Sequence, residues 1–357
     1  MKRGNLINRF ASIVLTSLVS AMAGSCEHKE LCYYHPHTAP VQVNIDWSLF
    51  PMEDPTGMTA YSFMIDDQEK EIYKTTSHNI DYITLDLEAG FFNTVVFNQS
   101  ESEFGSFEFV NLDDYESAMV RVFQVKSNWY ESKSQGTKVG TEPEWLAVGR
   151  AENIEVTEEM VAIAEKEYLE AHKEIITRSG TRSVNEVATI TPTSVVKQVE
   201  FHIHLERVYN LRSARAAMEG MTEGRYLSTG RPLPGLVAHT LDTWSLTTEP
   251  NDPATGFITA TVSTFGLPEG HTAAPGENKF SVSLLLVDGE TIMTHDYYIG
   301  DLLAQLNELS DIEEKIVIDL TFPEPLLDVM PVGGSGGGFS ADVDDWGDEI
   351  TTEIPIK

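Results

Sequence analysis

Several sets of residues have the types and spacing that chemistry requires. His202 and His204 lie two apart in the run EFHIHLE. An extended backbone would point both rings to one side, the arrangement with which a strand grips zinc. No third ligand or general base accompanies them, so histidines on a solvated sheet face are expected. Cys32, His35 and His37 in CYYHPH are metal-ligand types, but three ligands scattered on a tether are a weak signal, and a membrane-proximal stalk is expected. Asp342, Asp344, Gly347 and Glu353 occupy positions 1, 3, 6 and 12 of a calcium-loop register. Trp346 takes position 5, where an oxygen ligand belongs, and no helix flanks the segment, so a solvated acidic tail is expected. The chain has no nucleophile elbow, P-loop, GxGxxG or HExxH. No catalytic residue, metal or cofactor is assigned, and an enzyme is not expected.

The thiol of Cys26 is different, because its setting specifies a modification. Met1 to Arg9 carries Lys2, Arg3 and Arg9 and no acid, and Phe10 to Met22 (FASIVLTSLVSAM) is an apolar run of 13 residues. A bilayer span needs ~20 such residues, so residues 1–25 read as an export signal. Ala23-Gly24-Ser25-Cys26 resembles the lipobox of bacterial lipoproteins, in which the cysteine becomes the acylated N-terminus after cleavage. Ala23 stands where leucine is commoner, and an ordinary signal peptide cut near Ala23 is the alternative. Acyl chains on Cys26, palmitate among them, would gain about 0.8 kcal/mol per buried CH₂ and hold the protein on a membrane without spanning it. Glu27 and Glu30, either side of Lys29, are the kind of acids that direct some lipoproteins to the cell surface.

Charge narrows the partners. Among 357 residues, 24 Lys and Arg face 56 Asp and Glu, for a net charge of −32. Phosphate backbones would repel such a chain, so nucleic acid is excluded as a partner. Its 41% hydrophobic and 22% charged residues are ordinary for a folded protein. Two cysteines build neither a disulfide framework nor a four-thiolate zinc site.

The elements that would position these residues are mostly strands. Val41, Val43, Ile45 and Trp47 alternate with polar residues, the period of a half-buried strand. Ala60–Ile65, Ile80–Leu87 and Asn93–Phe97 read likewise, with Gly90 supplying a turn. Thr157 can cap a helix over 157–173, with Met160, Ile163, Ala164 and Ala171 on one face. Residues 177–193 are small and polar and read as a linker. Beyond it, Val199, Phe201, Ile203 and Leu205 face one way and Glu200, His202, His204 and Glu206 the other. Asp288-Gly289 between two strand-like runs signals a hairpin, Asp301 can cap a short helix through Leu309, and Ile316–Phe322 alternates again. A flexible glycine run, 333–338, precedes the acidic end.

The expected organisation is therefore a signal peptide at 1–25 and a lipidated tether at 26–39. An N-terminal β-sandwich at 40–176, a linker at 177–193, a C-terminal β-sandwich at 194–325 and a Gly-rich acidic tail at 326–357 follow.

CEHKELCYYHPH, VNIDW and LEAGFFNTVVFN resemble the start of Bacteroidota-type fimbrial anchor lipoproteins. AMEGMTEG (217–224) with YLSTG (226–230), STFGLPEG (263–270) and GGGFSADVDDWGDE near the end are similar to one uncharacterised-domain group among the FimB-like fimbrillin-associated proteins. The resemblance implies an all-β fold of two tandem transthyretin-like or Ig-like β-sandwiches with minor helices, anchored by lipid in the outer membrane. It implies fimbrillin-like partner subunits joined by strand exchange, with Cys26 as the one residue of known role. The function expected is an anchor or accessory subunit of a cell-surface fimbria. A stand-alone surface lipoprotein binding a glycan or host protein is the alternative, with Trp129, Tyr130, Trp145 and Trp244 as stacking residues. Arg178 and Arg182 would be open to trypsin-like cleavage if their loop is exposed.

Overall fold

A computed structural model describes residues 37–50, 55–65, 72–127, 129–130, 138–173, 184–271, 276–309 and 315–332. Cys26, Cys32, His35, Arg178, Arg182 and the calcium-loop register 342–353 lie outside these residues. No helix among the described residues is long and apolar enough to cross a membrane.

The alternating patterns fold into two sandwiches. The first has a three-stranded sheet in the order β11 (Asn185–Ile190), β1 (Ala39–Ile45), β4 (Tyr82–Leu87). It packs on a five-stranded sheet in the order β12 (Thr193–Ser194), β10 (Ala147–Val156), β5 (Gly90–Asn98), β2 (Met58–Met64), β3 (Ile72–Ser77). Val41, Val43, Ile83, Leu85, Met58, Phe92 and Val96 fill the space between them.

The second sandwich has a four-stranded sheet in the order β21 (Lys315–Thr321), β13 (Lys197–Glu206), β18 (Asp252–Thr264), β17 (Ser245–Glu249). Its other sheet has six strands, β20 (Ile292–Tyr298), β19 (Lys279–Leu286), β14 (Leu211–Thr222), β16 (Leu236–Leu241), β9 (Lys138–Gly140) and β8 (Gln124–Val125). At its centre the Phe201 and Phe280 rings stack at 3.9 Å and 4°.

The two sandwiches repeat one topology. Strand β1 and its counterpart β13 each pair in parallel with a late strand of their own sandwich, β1 with β11 and β13 with β21. On the other side each pairs antiparallel, β1 with β4 and β13 with β18. The opposite sheets run β10-β5-β2-β3 and β20-β19-β14-β16. The chain between β5 and β10 is the main addition. It supplies β8 and β9 to the second sandwich, and β6 (Phe107–Val110) and β7 (Met119–Val122) to a small sheet with β15 (Gly224–Tyr226).

That addition joins the halves. Strand β2 up to Phe63 and strand β5 from Thr94 to Asn98 are buried because their sheet carries a core on each face. Val96 and Ala60 belong to the first sandwich's core, while Val95, Phe97, Tyr61 and Phe63 belong to a second cluster that continues through Phe107 and Phe265 into the second sandwich. The Phe107 and Phe265 rings meet at 5.8 Å across the seam. Burying such a side chain stabilises by roughly 1.5–3 kcal/mol relative to exposure. Backbone bonds cross as well, from Leu227 N to Ala118 O and from Val122 N to Glu223 O.

Three local expectations are corrected. Part of the expected linker is ordered sheet, since Asn185–Ile190 forms β11 and Thr193–Ser194 forms β12. Ile190 is buried, and the parallel pairing gives β1 partners for backbone groups that burial would otherwise strand. The helix α1 (Glu158–Lys173) forms, with Thr157 Oγ1 accepting from Met160 N at 3.2 Å. Its inward row is Met160, Val161 and Ala164, and Ile163 is exposed. At 100° per residue Ile163 lies on the opposite side of Met160 from Val161 and Ala164. Asp301–Leu309 forms turns and a 3₁₀ segment, Leu306–Glu308, instead of an α-helix. Leu303 and Leu306, three apart, both enter the core, and i+3 bonds such as Leu306 N to Leu303 O accompany them.

Candidate functional site

The hairpin that builds the candidate site is written locally. Asp288 Oδ1 accepts from Glu290 N and Thr291 N, and Gly289 adopts a φ of +69°, the left-handed conformation such a turn needs. The turn delivers β20 antiparallel to β19, from Leu285↔Ile292 to Lys279↔Tyr298. Among the described residues nothing pairs with the far side of β20. Strand β21 pairs only with β13 in the same set, so its outer edge is open too.

The two open edges lie on one flank. Tyr297 Oη donates to Thr321 O at 3.0 Å, linking β20 to β21. The His295 ring stands edge-on to Tyr297 at 4.5 Å and to Phe322 at 6.1 Å. Burial pushes the Tyr297 hydroxyl up to about 12, so it stays a protonated donor at physiological pH. Met293, Tyr297, Ile316 and Leu320 line the margin against the core. Ile292 and Tyr298 are 50% and 60% exposed. The sequence IMTHDYY contains no lysine, arginine or proline, the residues that commonly guard an edge. An extended segment arriving here would meet unpaired backbone groups and an apolar margin, which is what strand addition requires.

The outer face beside this flank is electrostatically occupied. His202 Nε2 lies 2.7 Å from Glu200 Oε1, and Nδ1 lies 3.2 Å from Asp319 Oδ1 on β21. Lys315, also on β21, pairs with Glu200. Hydrogen bonds from Lys315 and His202 hold the Glu200 carboxyl below the usual carboxylate value. His204 instead reaches Glu249 at 3.6 Å and stands edge-on to Phe257. The two histidines share a face, as their spacing requires, but serve different carboxylates. No cluster of His, Cys, Asp and Glu suited to a metal occurs among the described residues.

The four aromatics proposed for stacking on sugars form no exposed platform. Trp244 and Tyr130 are buried, and Trp145 and Trp129 are half-buried. Trp129 lies under the Arg215 guanidinium at 4.4 Å.

Other residues at the second sandwich escaped sequence reasoning. Asp328 accepts from Asn210 Nδ2 at 3.0 Å, Tyr209 Oη at 3.2 Å and Arg207 Nη1 at 3.1 Å. These bonds, Asn210's foremost, keep its carboxyl below the ordinary value. They pin the chain beyond β21, where Leu326 N also bonds Glu206 O. A separation of more than a hundred residues leaves no local signal for such contacts. Two motifs singled out in the sequence do meet in space, since Thr222 N donates to Gly266 O and Arg225 Nε to Phe265 O.

Comparison with known proteins adds a family and a fold. The family described as a domain of unknown function, DUF5119, matches residues 25–233. No curated protein matches the chain. A solved structure described as a "putative adhesin" from Bacteroides ovatus is similar in fold, with a TM-score of 0.50 and 13% identity over 85% of this chain and 99% of that one. The fimbrial anchor protein Mfa2 from Porphyromonas gingivalis aligns with a TM-score of 0.43 and 13% identity, over 80% of this chain and 90% of that one.

Proposed function

The chain belongs to the DUF5119 family, and from that footing we propose that it is a non-catalytic outer-membrane lipoprotein, an anchor or accessory subunit of a cell-surface fimbria. The observation that carries the reading is the flank of the second sandwich, where β20 and β21 each have a single partner strand among the described residues. A fimbrillin-like subunit would join there by strand exchange, contributing main-chain hydrogen bonds along β20 and apolar side chains at its margin. Acylated Cys26 would hold the other end to the membrane after removal of residues 1–25. The fold likeness to an adhesin and the alignment with a fimbrial anchor accord with this role.

The test is purification of the native protein from outer membranes, followed by mass spectrometry of the heat-resistant high-molecular-weight bands. Polymer containing fimbrillin-like chains is expected. A lone lipidated monomer would overturn the fimbrial role in favour of a stand-alone surface binder. Labelled palmitate should enter the wild type and not Cys26→Ala, and equal labelling of both would remove the anchor.

A further inference from the structure

Strand β20 has a fixed hydrogen-bonding phase. Its antiparallel register with β19, continued one residue at each end, sets Thr291 opposite Leu286 and Ile299 opposite Asn278. Both pairs are bonded, Leu286 N to Thr291 O at 2.9 Å and Ile299 N to Asn278 O at 3.0 Å. Bonded pairs alternate along an antiparallel ladder. Thr291, Met293, His295, Tyr297 and Ile299 therefore turn their backbone groups to β19, while Ile292, Thr294, Asp296 and Tyr298 turn theirs to the open edge. Side chains alternate in step. Met293, His295 and Tyr297 are half-buried, and the four edge-bonding residues are exposed.

This phase makes the strand complementary to itself. Antiparallel strands bond through directly opposed residues, so a second β20 must oppose members of the same edge-bonding set. One register uses all four, with Ile292 opposite the partner's Tyr298 and Thr294 opposite the partner's Asp296. It joins the two exposed apolar side chains at the ends of the strand. Sliding two residues one way would set Asp296 against its own copy, and like charges directly opposed destabilise a sheet. Sliding the other way leaves Tyr298 without an opposite residue. On the inner face Met293 meets the partner's Tyr297, a favourable sulfur–aromatic contact, and His295 lies on the two-fold axis.

We propose that two copies of this chain pair β20 to β20 about a two-fold axis at His295, joining their six-stranded sheets edge to edge. An unpaired strand without lysine, arginine or proline is a template for another strand, and an identical copy carries the complementary one. Strand β20 contributes seven residues a side. A standard interface has roughly 20–30, so the expected Kd is on the order of 10–100 µM. The pairing rests on the open edge alone and not on a fimbrial role. A fimbrillin-like strand would need the same four residues, so the dimer is the guarded form of that edge.

The test is sedimentation equilibrium of residues 26–357 carrying Cys26→Ala and Cys32→Ala, so that neither acyl chains nor native thiols associate the chain. A monomer–dimer equilibrium is expected, and a monomer at millimolar concentration overturns the pairing in favour of another occupant. Thr294→Pro removes an N–H that only the dimer uses and should weaken association by roughly tenfold or more. Undiminished association of that variant overturns the register. Cysteine variants in the same background decide the matter if the proline variant does not fold. His295→Cys should give a disulfide-linked dimer on mild oxidation, because α-carbons of a non-bonded pair on the axis lie about 4.5 Å apart. Ile292→Cys should not, since this register leaves it ~20 Å from its own copy. No cross-link at position 295, or equal cross-linking at both positions, overturns the proposal. A chain that dimerises in this way but is never recovered with fimbrial material keeps the pairing and loses only the fimbrial role.

Discussion

The first and second sandwiches are built on one strand order and differ in which edges they leave open. In the first, β12 pairs with the first two residues of β10 through Ala147↔Ser194 and Val148↔Thr193, and β3 ends the sheet. In the second, the strand equivalent to β3 is β16, covered by β9 through Val237↔Lys138 and Ala238↔Val139. The strand equivalent to β10 is β20, which is open among the described residues. One topology thus yields two different sets of edges, with short added strands pairing part of β10 in the first sandwich and part of β16 in the second. The halves also differ in their interiors. The second contains a fully buried histidine, His239, whereas the described histidines of the first, His37 and His78, are exposed.

The largest effect expected is from opening the second core. Phe201→Ala should cost about 3–5 kcal/mol. Urea unfolding followed by tryptophan fluorescence and by far-ultraviolet circular dichroism should still show coincident midpoints, because the cluster containing Phe201 continues to Phe97 of the first half. Separate midpoints would mean that the sandwiches unfold as independent units.

Next is the contrast in buried histidines. Desolvation pushes His239 down to about 4 from an ordinary 6.5. The unfolded chain therefore binds this proton first, so stability is intact above pH 6.5 and is lost as pH falls toward 4. The loss attributable to this group is on the order of 3 kcal/mol. Urea titrations of wild type and His239→Gln at pH 7, 5.5 and 4 measure it, and parallel declines in both would assign the acid sensitivity elsewhere.

A smaller effect concerns the tie across the open flank. Tyr297→Phe removes the bond to Thr321 O and should cost about 1 kcal/mol. Hydrogen exchange should quicken in β21 more than in β11, its counterpart in the first sandwich. Equal change in the two strands would show that the tie does not hold the flank.

The smallest stability effect is reserved for the edge itself. Ile292→Lys should alter folding by under about 0.5 kcal/mol because the side chain is half-exposed. It should nevertheless abolish recovery of the protein in high-molecular-weight fimbrial material, by guarding the edge with charge. Normal recovery would move the docking surface to another edge.

How much was legible depended on how local each feature is. The alternation over Val199–Glu206 is legible residue by residue, and so is the Asp288-Gly289 hairpin, because side-chain period and turn chemistry act within a few residues. Asn185–Ile190 reads as linker from sequence because its small, polar composition gives no period, and pairing with β1 alone makes it a strand. Ile163 lies outside the inward row it shares by sequence, because apolarity does not reveal which row of a helix meets the sheet. The open flank was not visible either, since edge status depends on which distant strands arrive, such as β9 from the first half at β16.

By itself the sequence determined the all-β character, the inward and outward faces of its clearest strands and the strongly acidic net charge. Each follows from residue type and short-range geometry. The tertiary structure alone decided that a core continues between the halves, that Arg150 and Arg225 meet at Gly230, and that β10 gains a second partner at its first two residues while β20 gains none among the described residues. Those outcomes rest on backbone pairing and packing between residues far apart in the chain, and pairing energies of that kind are set by the competition among all strands at once.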